Sequence, residues 1–114
     1  MVLYKLEREH LLNDADFARQ WVEARSGRKL GRSRIAQELR RKGIDADEAE
    51  EALSAIGEDA QLADAIALAE KAAARAKPDE DPRKTYQRIA AMLARRGFRW
   101  DITKEALAQV LQAD

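Results

Sequence analysis

The side chains equipped for chemistry are few, and their spacing suits binding better than catalysis. His10 is the only histidine and the chain has no cysteine, so a Cys/His metal cluster and a thiolate nucleophile are both unavailable. His10 reads as a helix-end residue, a type that tolerates positive φ. Asp45, Asp47, Glu48, Glu50 and Glu51 crowd the start of one helical segment, where carboxylates complement the helix dipole as a solvated surface. Gly27-Arg28-Lys29-Leu30-Gly31 is too short for a phosphate loop and lacks its Lys-Ser/Thr pair. The residues therefore predict no enzyme, no cofactor and no metal.

The cations are more informative. A helix over 32–42 that buries Ile35 and Leu39 leaves Arg34 and Arg41 outward, seven residues apart and so on one face. A second helix carries Lys84, Arg88 and Arg95 as a similar stripe. Basic residues near a helix C-terminus stabilise its dipole, by about 0.3–1 kcal/mol each. That accounts for Arg41, Lys42, Arg95 and Arg96. It leaves Arg34, Arg88 and Lys84, which lie earlier in their helices, and these point to a recurring face for an acidic or anionic partner. Arg34, Arg41, Lys84, Arg88 and Arg95 are the candidate partner-binding residues.

The elements that must position them are helical. Ala, Leu, Glu, Lys, Arg and Gln dominate, while strand-favouring β-branched and aromatic residues are scarce. All-α is the predicted class. The formal charge of zero hides segregation, since residues 28–42 sum to +6, 43–70 to −9 and 71–99 to +6. No apolar run approaches the roughly 20 residues that span a bilayer. Charge arrives too early for the N-terminus to read as a signal peptide, and a cytoplasmic protein is expected. A stub over 3–9 precedes a helix from the cap Asp14 to about Arg25, with Phe17, Trp21 and Val22 inward. Gly43-Ile44 and Gly97-Phe98 sit where left-handed C′ residues end helices, with the following apolar side chain closing the cap. Asp45 and Asp81 stand as N-caps, the second followed by Pro82 at N1. A long helix from Gly57-Glu58-Asp59 to about Lys77 carries Leu62, Ile66, Ala69 and Ala73. Tyr86, Ile89, Ala90 and Leu93 form the next stripe, and Ile102, Ala106, Leu107, Val110 and Leu111 the last. Trp21 and Tyr86 read as core, whereas Trp100 is placed either to staple the final helix or to lie exposed.

A shift of 54 residues aligns the second and third helices of one unit with those of the other. Ile35 falls on Ile89, Leu39 on Leu93, Arg41 on Arg95, Gly43 on Gly97, Asp47 on Asp101 and Leu53 on Leu107. The first helices align at a shift of 45, with Asp14 on Asp59, Phe17 on Leu62 and Ala18 on Ala63. Internal repeats of helical units make elongated binding scaffolds. The expected organisation is residues 1–12 as the remnant of a preceding repeat, then three-helix repeats over 13–57 and 58–114, in an elongated, curved array. Leu6, Leu11 and Leu12 are then expected to be exposed for want of that preceding unit.

Three segments carry a family resemblance. Leu11-Leu12-Asn13-Asp14-Ala15-Asp16-Phe17-Ala18, the run from Gly31-Arg32-Ser33-Arg34-Ile35 to Lys42-Gly43-Ile44, and Leu93-Ala94-Arg95-Arg96-Gly97-Phe98 resemble the RecX family. The resemblance implies tandem three-helix repeats in a curved modulator lodged along the groove of the filament that RecA forms on DNA. There it would limit filament extension and recombinase activity, in DNA repair and recombination. Two departures stand out: the family usually carries three repeats where two are found here, and His10 occupies a position where glycine often precedes the paired leucines. The runner-up is a DNA-binding module, because three-helix units with a basic second helix resemble helix-turn-helix readers. Against it, a −9 segment beside the basic patches would repel phosphates unless it faces away. A helical adaptor for an unrelated partner is a third reading.

Overall fold

The computed structural model describes residues 14–111, and every regular element in that span is an α-helix. The helices are α1 (Asp14–Ser26), α2 (Arg32–Arg41), α3 (Ala46–Leu53), α4 (Glu58–Ala74), α5 (Pro82–Arg95) and α6 (Trp100–Leu111). The stub expected over 3–9, His10, and the expected exposure of Leu6, Leu11 and Leu12 lie outside the described residues. In the first unit α1 packs mainly on α3, and in the second α4 packs mainly on α6. Each unit closes its own core. The first is built on Ala18, Val22, Ile35, Leu39 and Leu53, the second on Ala65, Ala69, Ile89, Leu93, Ala106 and Leu107. The chain extends over 58 × 26 × 18 Å with a radius of gyration of 17.2 Å. A compact domain of this length would have a radius near 13 Å. The units lie end to end.

Helix ends explain most of the local architecture. Lys42 and Arg96 end α2 and α5, and Gly43 (φ 82°) and Gly97 (φ 96°) follow in the left-handed region. Gly43 N–H donates to the Arg40 carbonyl and Ile44 N–H to that of Leu39; Gly97 and Phe98 repeat the pattern on Ala94 and Leu93. This double bond set, with Ile44 and Phe98 buried, is the Schellman cap that glycine at C′ favours. Asp45 and Asp81 accept from the amides of Asp47 and Arg83 at 3.0 and 2.9 Å, as N-caps do.

The 54-residue register holds through these elements. Ile35 and Ile89 are fully buried, as are Leu39 and Leu93, and Leu53 matches Leu107. The 45-residue register of the first helices does not hold, because Ala18 is fully buried and Ala63 is exposed. Burial instead places Ala18 and Val22 on Ala65 and Ala69, a shift of 47. In an alanine-rich helix the small side chains fit inside or outside equally, so composition does not fix the phase. Gln61, Ala65 and Ala69 take the inner face of α4, with Leu62 and Ile66 at its flanks. In α5 the phase holds at Ile89 and Leu93, but Tyr86 lies one residue off that stripe. Thr85 is buried in its stead, holding the Glu80 carboxylate at 2.8 Å, and Tyr86 is 38% exposed. Trp21 packs against the first core as expected, while Trp100 lies exposed at the head of α6. α1 starts at Asp14 itself, and α4 stops at Ala74, three residues before the expected Lys77.

The units meet where the end of α5 abuts the beginning of α2. Gly31 N–H donates to the Arg96 carbonyl at 2.7 Å and Ser33 N–H to that of Gly97 at 3.1 Å. Between them Arg32 N–H donates to Gln61 Oε1 of α4 at 3.0 Å. A Cβ on Gly31 would lie 2.2 Å from the Gly97 carbonyl carbon, and one on Gly97 would lie 2.3 Å from the Arg34 Cβ. Gly43, by contrast, has open space around it. Gly43→Ala therefore isolates left-handed strain, about 1–2 kcal/mol. Gly31→Ala isolates the close approach, since its φ of −77° is ordinary. Gly31→Ala is expected to lower the melting temperature more than Gly43→Ala, and Gly97→Ala, which incurs both penalties, most of all. A Gly31→Ala protein melting like the parent would show that the units do not dock through this contact.

Candidate partner-binding groove

A groove of about 640 Å³ runs between α4 and α5 and ends at the start of α2. Its apolar floor is Leu68, Ala72, Ile89 and Met92. Its walls are Lys71 and Arg75 from α4, Arg88 and Arg95 from α5, Arg96 from the α5 cap, and Arg34 from α2. No carboxylate lines it. Long basic side chains lay their methylene stems on apolar surface and keep their charges in water, so this wall needs no internal counter-ion to form. A second hollow, lined by Arg75, Lys77, Lys84 and Arg88 with Asp79, Glu80 and Asp81, shares two residues with the first.

The five cations singled out in the sequence are all exposed, but they do not form one face. Arg34, Arg88 and Arg95 line the groove, Lys84 lies in the adjoining hollow, and Arg41 is in neither. Two of them are engaged. Arg34 donates to the Arg95 carbonyl at 3.2 Å and approaches Glu38 Oε2 at 3.4 Å, so it joins the two units. Arg88 pairs with Glu80 at 3.0 Å. The bond from Arg88, with that from Thr85, holds the Glu80 carboxyl below its ordinary range. No side-chain partner stands against Arg41 or Arg95 among the described residues. Sequence reasoning misses Lys71 and Arg75, and assigns Arg96 only to the helix dipole. Lys71 and Arg75 are four apart on α4, beside Leu68 and Ala72, and the corrected phase of that helix is the signal that finds them.

The corresponding place in the first unit is filled. Trp21 lies between α1 and α2 with its indole N–H on Glu38 Oε1 at 3.0 Å. Arg25 grips both oxygens of Glu38 at 2.9 and 2.8 Å. Lys42 Nζ stands 4.4 Å from the Trp21 ring centroid, a cation–π distance. Burial pushes the Glu38 carboxyl up, but the hydrogen bonds from Arg25 and Trp21, with the charges of Arg25 and Arg34, outweigh it and hold the group below its ordinary value. Among the described residues no three Asp, Glu or His side chains gather as ligands of one metal ion would. No helix there is long and apolar enough to cross a membrane.

Two end-to-end three-helix units that meet at buried glycines define an all-α helical-repeat protein. Comparison with known proteins makes this specific. The family model described as RecX, second three-helix domain, matches residues 13–53, and that of the RecX third three-helix domain matches residues 59–107. The chain belongs to the RecX family. It is 36% identical over 110 residues to the regulatory protein RecX of Clostridioides difficile, an alignment covering 96% of this chain and 51% of the relative. It is 40% identical over 114 residues to the RecX of Mycobacteroides abscessus, covering 94% and 55% respectively. The crystal structure of RecX from Lactobacillus salivarius superposes with a TM-score of 0.81 at 28% identity, over 98% of this chain and 73% of that one. The chain thus spans little more than half the length of these two sequence relatives.

The Glu38 cluster generates a pH prediction. Because its folded-state acidity is depressed, its contribution is present above the ordinary carboxylate pKa of 4.5 and is lost as pH falls through the lower folded value. Denaturant titrations of the parent should show stability falling below pH 4.5, and Glu38→Gln should flatten that limb while lowering stability at pH 7. An acid limb of unchanged steepness in Glu38→Gln would place the titrating group elsewhere.

Proposed function

We propose that this chain regulates the RecA recombinase by binding its DNA-bound filament, acting by occupancy and without chemistry, in the cytosol. The observation that carries this reading is a six-cation groove with an aliphatic and thioether floor, in a chain of the RecX family. Arginine-rich rims around an apolar centre suit a protein partner with acidic residues around a hydrophobic patch. The proposed contact residues are Arg88 and Arg95, joined by Lys71, Arg75 and Arg96, with Lys84 at the margin. Arg34 contributes its charge while serving the junction, and Arg41 would act as a separate contact.

The DNA-binding alternative gains one point and loses another. The acidic residues of α3 and early α4 lie outside the groove, which weakens the electrostatic objection to phosphate. No aromatic ring lines the groove, however, so the stacking platform of single-strand binders is missing.

The substitutions that test the reading are Arg75→Glu with Arg95→Glu, two exposed side chains without ion-pair partners among the described residues. The double variant should retain its melting temperature within a few degrees, since exposed substitutions move stability by about 0.5 kcal/mol. Its inhibition of RecA ATPase on single-stranded DNA should weaken roughly tenfold or more. Full inhibition by a folded double variant would remove the groove from the mechanism. Tight binding to bare DNA, with affinity falling as a steep power of salt concentration, would favour the alternative.

A further inference from the structure

The two units differ most where their first and second helices face each other. On the second helices the 54-residue shift carries Arg34 to Arg88, Glu38 to Met92 and Lys42 to Arg96. On the first helices the 47-residue shift set by burial carries Trp21 to Leu68 and Arg25 to Ala72. Neighbourhood supports the pairing independently of burial. Leu68, Ala72, Met92 and Arg96 line one groove, as Trp21, Arg25, Glu38 and Lys42 form one cluster. The second unit therefore has leucine where the first has an indole, and a thioether where the first has a carboxylate. It keeps the cations at the Arg34 and Lys42 positions, has Ala72 in place of Arg25, and is lined besides by Lys71, Arg75 and Arg95.

We propose that the α4–α5 groove is the unfilled counterpart of the Trp21–Glu38 slot, and that the partner protein fills it with an aromatic side chain accompanied by a carboxylate. This deepens the groove reading above and rests on it. In the first unit the ring packs against the core, its N–H is taken by Glu38, and Lys42 covers its face. In the second unit Arg96 stands at the Lys42 position to cover a ring; Arg88, at the Arg34 position, is paired with Glu80 and Ala72 replaces Arg25, so Arg75 and Arg95 are the cations left to hold a carboxylate. The ring and the acid are what the groove lacks. An aromatic residue alone would leave Lys71, Arg75 and Arg95 without an anion, and an acidic residue alone would leave the floor of Leu68, Ala72, Ile89 and Met92 uncovered. A nucleotide also combines a ring with a negative charge. The slot's own precedent, though, is a side-chain indole hydrogen-bonded to a side-chain carboxylate, and this favours protein.

The test fills the groove from within. Leu68→Trp with Met92→Glu transplants the first unit's arrangement, and the second alteration is also made alone in case the pair disturbs folding. The probe is a short glutamate-rich peptide with one tryptophan, titrated into the parent protein while the methyl signals of Leu68 and Met92 are followed by NMR. The parent should show saturable shifts at both methyls. Replacing the peptide tryptophan by alanine, or its glutamates by glutamines, should weaken binding roughly tenfold or more. The double variant should fold, show a protected indole N–H, and lose the peptide. Met92→Glu alone should weaken it by a similar factor. Undiminished binding by either folded variant overturns the proposal, as do equal affinities for the tryptophan and alanine peptides. Methyl shifts produced by an oligothymidylate and not by the peptide overturn it in favour of nucleic acid. The peptide assay contains no RecA, so a normal peptide response beside unaltered RecA activity would support the groove chemistry and count only against the RecA reading.

Discussion

The first helix turn of α2 has no cap of its own. Gly31 offers no side chain to the amides that an α-helix leaves unpaired at its start, and the second unit satisfies them. The Arg96 carbonyl, Gln61 Oε1 and the Gly97 carbonyl take the N–H groups of Gly31, Arg32 and Ser33 in turn. Two of these acceptors belong to the end of α5, where carbonyls would otherwise lack partners, and Arg34 takes a third from Arg95. Two deficient helix ends thus complete each other. The fit requires backbone-to-backbone approach, which explains glycine on both sides. Arg32 extends the junction to the end of α3 by donating to the Ile56 carbonyl. Separating the units would strand several polar groups at once, each costing on the order of 1–3 kcal/mol if left buried and unpaired. Their relative placement is accordingly part of the fold.

The junction also determines what the groove contains. Because the end of α5 seats on α2, Arg34 of the first unit stands at the mouth of a groove otherwise built by the second. Its orientation is fixed from two sides, by Glu38 and by the Arg95 carbonyl. The repeat is therefore not a row of independent sites. The matching glycine Gly43 ends α2 with the same cap but meets nothing. Asp81 caps α5 with its own carboxylate and needs no neighbour. One sequence signature has two uses. It closes a helix in both units and docks a helix in one.

Much of this architecture was legible because it rests on local rules. Glycine followed by an apolar residue, aspartate before proline, and leucine at fourfold spacing specify helix ends and inner faces within a few residues. The 54-residue register was readable for the same reason, since Gly43 and Gly97 anchor it by backbone conformation. The α1–α4 alignment failed where those anchors were absent and alanine predominates. Two features of the cations were not local. The Glu80 that pairs with Arg88 lies in the preceding loop, and the Arg95 carbonyl that holds Arg34 comes from 61 residues away. Helical periodicity marks a side chain as outward, but not what waits there.

The contrast between the two inter-helix slots shows how a repeat can separate stability from recognition. In the first, a half-buried carboxylate balances Arg25 and Arg34 and accepts the indole N–H, so the charges are spent internally and α1 is fastened to α2. In the second, methionine at the equivalent position gives no anion, and Lys71, Arg75 and Arg95 stay solvated above a flexible, polarizable floor. That arrangement adds little to the fold, whose second core closes without it through Ala65, Ala69, Leu93 and Leu107. It does create a local positive field in a chain of zero net charge, strong at close range and screened beyond about 8 Å at physiological salt. Such a field steers an acidic surface over the last step of approach, and the apolar floor then rewards contact only where the shape fits. On the groove reading proposed above, exchanging the indole, its carboxylate and the clamping arginine for Leu68, Met92 and Ala72 is what turns a structural clamp into a receptive site.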